Sequence, residues 1–304
     1  MPAQLLDGEK LAEKIRGDLK KEIEQLKQKH DAAPLLVAVQ AGENAASAVY
    51  VKNQKKNCEE MGISYELRLL DAGISEKELL AFIDKLNADR KVTGIILQMP
   101  VPPQINARAV QKTIAPEKDV EGMNPANMGL LVYGSPGLAP CTALGAMELL
   151  KSSGVEIKGK DVTVVGHSEI VGKPIALLLL SSLNESATPT VCHIATKDLS
   201  SHTKRADILI VAVGKAGLIR GNMVKDGAIV IDVGINRVPV LDAEGKPVLD
   251  EKGKPKKKTV GDVVFEEAVE KASYISPVPG GVGPLTVTML LKNTVSAWKM
   301  QLGN

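Results

Sequence analysis

Aromatic side chains are scarce in this sequence: one Trp, four Tyr and two Phe among 304 residues. Surfaces that stack nucleic-acid bases are built on aromatic faces, so that class of function finds no support. Net charge is nearly absent too, with 38 Lys and Arg against 36 Asp and Glu. No overall field exists to gather a nucleic-acid backbone or an anionic membrane. Cys58, Cys141 and Cys192 are odd in number, far apart and never arranged as C-x-x-C. They give no sign of a disulfide framework or a zinc knuckle, and fit a reducing, cytoplasmic setting. His30, His167, His193 and His202 are scattered without ligand spacing, so no metal is expected. No apolar run approaches the ~18 residues of a membrane span. Leu5-Leu6 gives way at once to Asp7-Gly8-Glu9-Lys10, which does not read as a signal peptide.

The standard dinucleotide fingerprint G-x-G-x-x-G is also missing. What stands instead is Val162 to Leu180, VTVVGHSEIVGKPIALLLL. A strand buried on both faces reads as continuously apolar, as Val162 to Val165 does. Gly166 permits a sharp turn, Gly172 lets a helix sit close to the strand, and Pro174 suits a first helical turn. A helix entered this way aims free N–H groups at its surroundings, commonly a phosphate. Further short strands follow at 190–193, 207–213 and 228–233, the last two closing on Gly214 and Gly234. Strands ending on Gly with helical segments between them are the doubly wound pattern, which binds ligands at the carboxyl ends of its strands. Dinucleotide binding becomes the better reading of the second half.

The first half has the same alternation. Residues 8–29 carry Leu11, Ile15, Leu19, Ile23 and Leu26 at helical spacing. Strands are expected at 35–40, 64–70 and 94–98, and helices at 48–61, 75–87 (N-capped by Ser75), 106–114 and 142–152. Residues 119–140 read as a polar crossing, and 238–259, with Lys256-Lys257-Lys258, as a solvated hairpin. The fold expected is α/β, two α/β lobes around a cleft. The first lobe is residues 1–145, joined by a C-terminal helix at 285–304 with Trp298 in its core. The second is 146–284, a Rossmann-like doubly wound parallel sheet.

Three stretches are too specific for scaffold: SAVYVKNQKK at 47–56; GIILQMPVP at 94–102 with KDVEG at 118–122; and SPVPGGVGPLT at 276–286. On these, and on Gly166-x-Ser168-x-x-Val171-Gly172-x-Pro174 and DVGIN at 232–236, the chain resembles the methylenetetrahydrofolate dehydrogenase/methenyltetrahydrofolate cyclohydrolase family over nearly its whole length. The resemblance implies a homodimer that holds a folate on the first lobe and a nicotinamide dinucleotide, NADP or NAD, on the second. It implies hydride transfer from the bridging methylene carbon of the folate to nicotinamide. In most members, hydrolysis of the methenyl product to 10-formyltetrahydrofolate follows.

Residue by residue, the resemblance puts Tyr50 at the family's folate-stacking tyrosine and Gln98 at the glutamine that holds the catalytic lysine. Met99, Pro100, Pro277, Gly280 and Gly281 fall among the substrate-binding positions. Gly166, His167, Ser168, Ile170, Gly172, His193, Gly214 and Ile235 fall among those for the cofactor. Cys141 is wall. Three positions depart from the family. Gln54 stands where the lysine is expected, one helical turn after Tyr50. At ~100° per residue none of Lys52, Lys55 and Lys56 shares that face. Glutamine hydrogen-bonds but exchanges no proton, so oxidation is expected to survive and hydrolysis to be weak or absent. The alternative is the full bifunctional enzyme; one of another class is a folate- or nucleotide-binding regulatory protein. Glu121 replaces an aspartate that grips the pterin ring, keeping the carboxylate one methylene further out. His167 and Ile194 replace an arginine and a serine that hold the 2′-phosphate of NADP, with Lys197 nearby. This favours NAD, while the family default is NADP, and both remain open.

Overall fold

The structure is a computed structural model that describes residues 2–43, 45–182, 184–242, 244–250 and 253–303, with the backbone alone at 45–50. In chain order it forms β1 (Gln4–Leu5), α1 (Gly8–His30), β2 (Leu35–Ala41), α2 (Ala45–Glu60), β3 (Ser64–Leu70), α3 (Glu76–Ala88), β4 (Gly94–Leu97), α4 (Ala107–Thr113), α5 (Pro125–Val132) and α6 (Cys141–Lys151). There follow β5 (Asp161–Val165), α7 (Gly172–Leu179), β6 (Thr188–Cys192), α8 (Leu199–Thr203), β7 (Ile208–Val211), β8 (Ile229–Asp232), β9 (Asn236–Pro239), β10 (Lys257–Val260), α9 (Phe265–Ala268), β11 (Tyr274–Ile275) and α10 (Val282–Gln301). The chain divides into two compact units, one of Ala12–Cys141 and Val287–Asn304, the other of Met1–Leu11 and Thr142–Thr286.

The first unit is built on a parallel sheet in the order β3-β2-β4. Strand β2 is central and apolar apart from Gln40, and its alternation feeds two layers. Leu36 and Ala38 join Ile23, Cys58 and Trp298 on one face, while Val37 and Val39 join Leu79, Ile83 and Val110 on the other. Trp298 is therefore core, as the helical spacing of the C-terminal segment suggests. Helix α3 starts where Ser75 predicts it, with a complete capping box between Ser75 and Glu78. After α4 the chain runs back beside β4, bridging Asp119 to Ile95 in parallel. This places Lys118 to Glu121 along the free side of β4.

The second unit holds a parallel sheet in the order β1-β11-β8-β7-β5-β6. Its order reverses around β5, where the chain leaves toward β6 on one side and β7 on the other. That is the switch point at which doubly wound sheets open a crevice. Leu209, Val211, Val230 and Ile275 fill the core. The hairpin expected at 238–259 is present in its ends: β9 and β10 pair antiparallel, from Asn236↔Val260 to Pro239↔Lys257.

Several elements differ from the sequence reading. The polar crossing at 119–140 contains α5, capped by Asn124, whose side chain accepts from Ala126 N–H, with Pro125 as the first helical residue. Residues 1–11, read as part of the first lobe, lie by contact in the second unit, because β1 pairs with β11. Strand β3, expected at 64–70, is a sheet edge, and Leu67 and Leu69 on it are exposed. The C-terminal helix begins earlier than read, at Val282, with Pro284 inside its first turn.

Candidate active site

In the first unit the decisive residue is Gln54. It sits mid-way along α2 and is buried, whereas Lys52, Lys55 and Lys56 on the same helix are exposed. Lys55 and Lys56 pair with Glu59 and Glu60 one turn on. The Gln54 side-chain carbonyl accepts from Gln98 Nε2 at 2.7 Å and from the Tyr65 hydroxyl at 3.2 Å. Gln98 directly follows β4, is itself buried, and is anchored by its backbone N–H to Val39. Thus α2, β3 and β4 converge on one carboxamide oxygen. Next along the chain, Met99 and Pro100 are exposed, and the peptide bond between them is cis. The side chain of Tyr50 lies outside the described residues.

Glu121 lies beside this cluster. It is half-buried, and its carboxylate accepts a hydrogen bond from the backbone of Leu97, the neighbour of Gln98. Burial pushes its pKa up to about 7, and the Asp119 charge adds to the rise. Asp119 is also held up by burial, against N–H donors from Asn124, Asn127, Met123 and Gly122. The Cys141 thiol lies close to both carboxylates and donates to the Val120 carbonyl. Burial, then Glu121, then Asp119 drive it well above the ordinary thiol range. Such a thiol stays protonated and is a poor nucleophile, in keeping with its reading as wall. Asn293 of α10 fastens the segment by donating to the carbonyls of Val120 and Ala139 at 2.8 and 2.9 Å. Lys118 spends its ammonium group on the carbonyls of Leu86, Asn87 and Asp89 at the end of α3.

In the second unit the residues expected to face a cofactor gather at the carboxyl ends of β5 to β8. Gly166 has φ +127°, and a Cβ there would meet the Ala212 carbonyl oxygen at 2.2 Å; at Gly172 it would meet the Gly166 oxygen at 2.0 Å. Both positions thus require glycine, and the turn into α7 is as tight as the sequence implies. The Ser168 hydroxyl accepts from Val171 N–H at the helix entrance. His167 and His193, from the ends of β5 and β6, stack with ring centroids 4.8 Å apart. Ile170, Ile194, Val213 and Ile235 are exposed along the same edge, Ile194 fully so. An edge with open backbone, a tight glycine turn and exposed flat apolar surface fits a dinucleotide, whose rings need apolar faces and whose phosphates need close backbone approach.

Two buried carboxylates that sequence reasoning missed organise this edge. Asp262 is fully buried. One of its oxygens accepts from Val213 N–H at 2.7 Å and Gly214 N–H at 2.9 Å, the other from Lys215 N–H and Asn236 Nδ2, both at 2.8 Å. Asp232 closes β8 and accepts from Gly234, Asp262 and Val263. Burial raises its pKa to about 6, against those three donors, with the Asp262 charge adding least. Asp232 opens the DVGIN stretch and Asp262 follows Gly261, but most of their partners lie dozens of residues away. Pro277, Gly280 and Gly281 line a cavity with Glu9, Val233 and Ile235. The Gly280 carbonyl accepts from Gly8 N–H at 2.9 Å. Among the described residues no group of three His, Cys, Asp or Glu could hold a metal ion, and no helix is long and apolar enough to cross a membrane.

Comparison with known proteins agrees with both halves of this geometry. Residues 6–121 match the tetrahydrofolate dehydrogenase/cyclohydrolase catalytic domain, and residues 140–302 match the NAD(P)-binding domain of the same family. The chain is 50% identical to the Bifunctional protein FolD of Moorella thermoacetica over 98% of this chain and 99% of that one. Among solved structures, the bifunctional methylenetetrahydrofolate dehydrogenase/cyclohydrolase FolD of Campylobacter jejuni is similar with a TM-score of 0.88 and 46% identity, covering 98% of this chain and 99% of that one. The Trypanosoma brucei enzyme, solved with NADP and an inhibitor, is similar with a TM-score of 0.88 and 38% identity over all of both chains. Parallel α/β units, a glycine turn at the switch point and full-length identity at this level lead to one assignment: the chain belongs to the tetrahydrofolate dehydrogenase/cyclohydrolase family.

Proposed function

We propose that the chain oxidises 5,10-methylenetetrahydrofolate by passing a hydride to the nicotinamide of NAD or NADP, and then hydrolyses the methenyl product to 10-formyltetrahydrofolate. The observation that carries this reading is the match of the chain to both family domains, with 50% identity over nearly its full length to a protein named as bifunctional. In this reading Tyr50, Gln98, Met99, Pro100 and Glu121 are folate-binding residues of the first unit, and Pro277, Gly280 and Gly281 of the second unit are counted among the substrate-binding positions by the resemblance. The dinucleotide is held by Gly166, His167, Ser168, Ile170, Gly172, His193, Gly214 and Ile235.

The chemistry follows from those roles. Hydride transfer needs two rings held face to face at near-contact distance, and positioning alone supplies much of its rate. The bound dinucleotide accepts the hydride; the protein orients it and excludes water. The glycine turn and exposed apolar edge of the second unit suit that task. His167 and Ile194 supply no fixed positive charge for a 2′-phosphate, which favours NAD, and Lys197 is the exposed cation nearest in sequence. Hydrolysis needs proton transfer as well as position.

One observation favours a second reading, in which oxidation occurs without hydrolysis. The Gln54 oxygen is already engaged by Gln98 and Tyr65, and a carboxamide neither takes nor gives a proton at neutral pH. A paired assay on one preparation separates the two. Methylenetetrahydrofolate oxidation is followed with each cofactor, and hydrolysis of supplied methenyltetrahydrofolate is measured above its spontaneous rate. Both activities are expected; oxidation alone would select the second reading.

We further propose a homodimer in the cytoplasm. The exposed Leu67 and Leu69 on edge strand β3 support a self-association surface. The three free thiols support a reducing compartment.

A further inference from the structure

Water adding to a methenyl carbon must lose a proton, and the departing nitrogen must gain one. Gln54 can do neither. Lys52, Lys55 and Lys56 are exposed on another face of α2, and Lys118 is fully engaged with three carbonyls. Asp119 is turned into its own loop by Asn124 and Asn127. Cys141 keeps its proton. The Tyr65 hydroxyl is committed to the Gln54 oxygen. Among the described ionisable side chains at this end of β4, that leaves Glu121. Glu121 is bonded to the backbone of Leu97, Leu97 precedes Gln98, and Gln98 donates to Gln54 at 2.7 Å. Glu121 and Gln54 are thus tied to neighbouring residues at the same end of β4.

We infer that Glu121 carries the proton transfers of the hydrolytic step, in place of the amine that this chain lacks at position 54. This rests on the reading that the chain hydrolyses methenyltetrahydrofolate. The Glu121 carboxylate takes one proton from water as the oxygen bonds to the cationic methenyl carbon, giving a neutral carbinolamine. It returns that proton to N5 as the carbon–N5 bond breaks. The second water proton leaves the hydroxyl for solvent as the formyl C=O forms. The cation and one water thus become 10-formyltetrahydrofolate and one proton, and Glu121 ends as it began.

Among the described residues, the charged and titratable groups acting on Glu121 are Asp119 from its own segment and Cys141 from α6, and β4 presents the Leu97 backbone. Neither side chain supplies a positive charge to hold the carboxylate ionised. It therefore titrates near neutral pH, where a group that must both accept and donate a proton works best. Hydrolysis should rise with pH through about 7 as Glu121 ionises.

The test compares wild type, Glu121→Gln and Glu121→Asp, with thermal unfolding confirming that each is folded. In Glu121→Gln the loss of the folate contact should raise KM for both reactions alike, while the ratio of hydrolysis to oxidation, taken from kcat values at saturating folate, should fall by ~10²-fold or more. The pH limb near 7 should vanish, and Glu121→Asp should restore much of both. Independently of turnover, difference infrared spectroscopy of the free protein should show a carboxyl band titrating near 7 in wild type and missing in Glu121→Gln. An unchanged ratio and pH limb in Glu121→Gln would overturn the inference while leaving the bifunctional reading intact. A wild type that oxidises but never hydrolyses would overturn both.

Discussion

Replacing Asp262 by Asn should damage the protein even though the two side chains have the same shape. Each Asp262 oxygen accepts two N–H donors: Val213 and Gly214 on one, Lys215 and Asn236 on the other. An amide has only one oxygen. Whichever way it is turned, its NH2 group faces two donors and leaves both without an acceptor. An unsatisfied buried donor costs ~1–3 kcal/mol, so the substitution should cost ~2–6 kcal/mol. Some relief comes from lowering the charge beside Asp232, but Asp262 is the smallest contributor to the raised pKa of that carboxyl, so the relief is minor. Against a total stability of ~5–15 kcal/mol this is a large loss. Its local effect falls on the loop after β7, which presents Val213 and Gly214 at the proposed cofactor edge. Urea unfolding should report the stability loss, and calorimetric titration should report NAD and NADP affinities weakened by about tenfold or more, equivalent to ~1.4 kcal/mol. Stability within ~0.5 kcal/mol of wild type, the usual range for a neutral surface change, together with unchanged affinity, would refute the reasoning.

Gly166→Ala should strain the β5–α7 turn, because its φ of +127° disfavours a side chain and a Cβ would lie 2.2 Å from the Ala212 oxygen. Strained backbone costs ~1–3 kcal/mol before the clash is counted, so cofactor affinity and thermal stability should both fall; a variant that binds as tightly as wild type would sink this account of the turn. His167→Arg should shift preference toward NADP by about tenfold or more, the worth of one charge-assisted hydrogen bond at ~1.5–3 kcal/mol, read as the ratio of kcat/KM values; an unmoved ratio would mean that position 167 does not face the 2′ position. Stability should fall as pH rises from about 4 to 7. Asp232 and Glu121 titrate near 6 and 7 when folded, above the ordinary carboxylate range, so the folded chain binds more protons than the unfolded chain across that window. Asp207, held down by Lys225, acts in the opposite sense but below the window. Urea midpoints at pH 5 and 8 check the sign, and a higher midpoint at pH 8 would contradict it.

Much of the fold was legible because parallel strands buried on both faces announce themselves as apolar runs. The runs at 35–40, 94–98 and 162–165 each hold a strand, with β4 stopping one residue short at Leu97. What escaped notice depends on tertiary partners. Strand β1 is two residues long, and its only sign is its partner β11, some 270 residues away. Helix α5 hides in a Gly- and Pro-rich stretch because its cap is Asn124, a residue equally at home in a turn. Leu67 and Leu69 alternate as a core face would, but β3 is an edge, and only the sheet order reveals that. At the site, motif resemblance brought out Gln54, Gln98 and Glu121. Tyr65 was read only as a strand residue, yet its hydroxyl shares the Gln54 oxygen. Asp262 could not be read as the clasp of a loop nearly fifty residues earlier in the chain.

The most direct test of the central claim is the absorbance of reduced nicotinamide when the purified chain is mixed with methylenetetrahydrofolate and either NAD or NADP. The account predicts reduction that depends on folate, enzyme and cofactor together. A folded preparation that binds the dinucleotide but reduces neither cofactor in the presence of methylenetetrahydrofolate would contradict it.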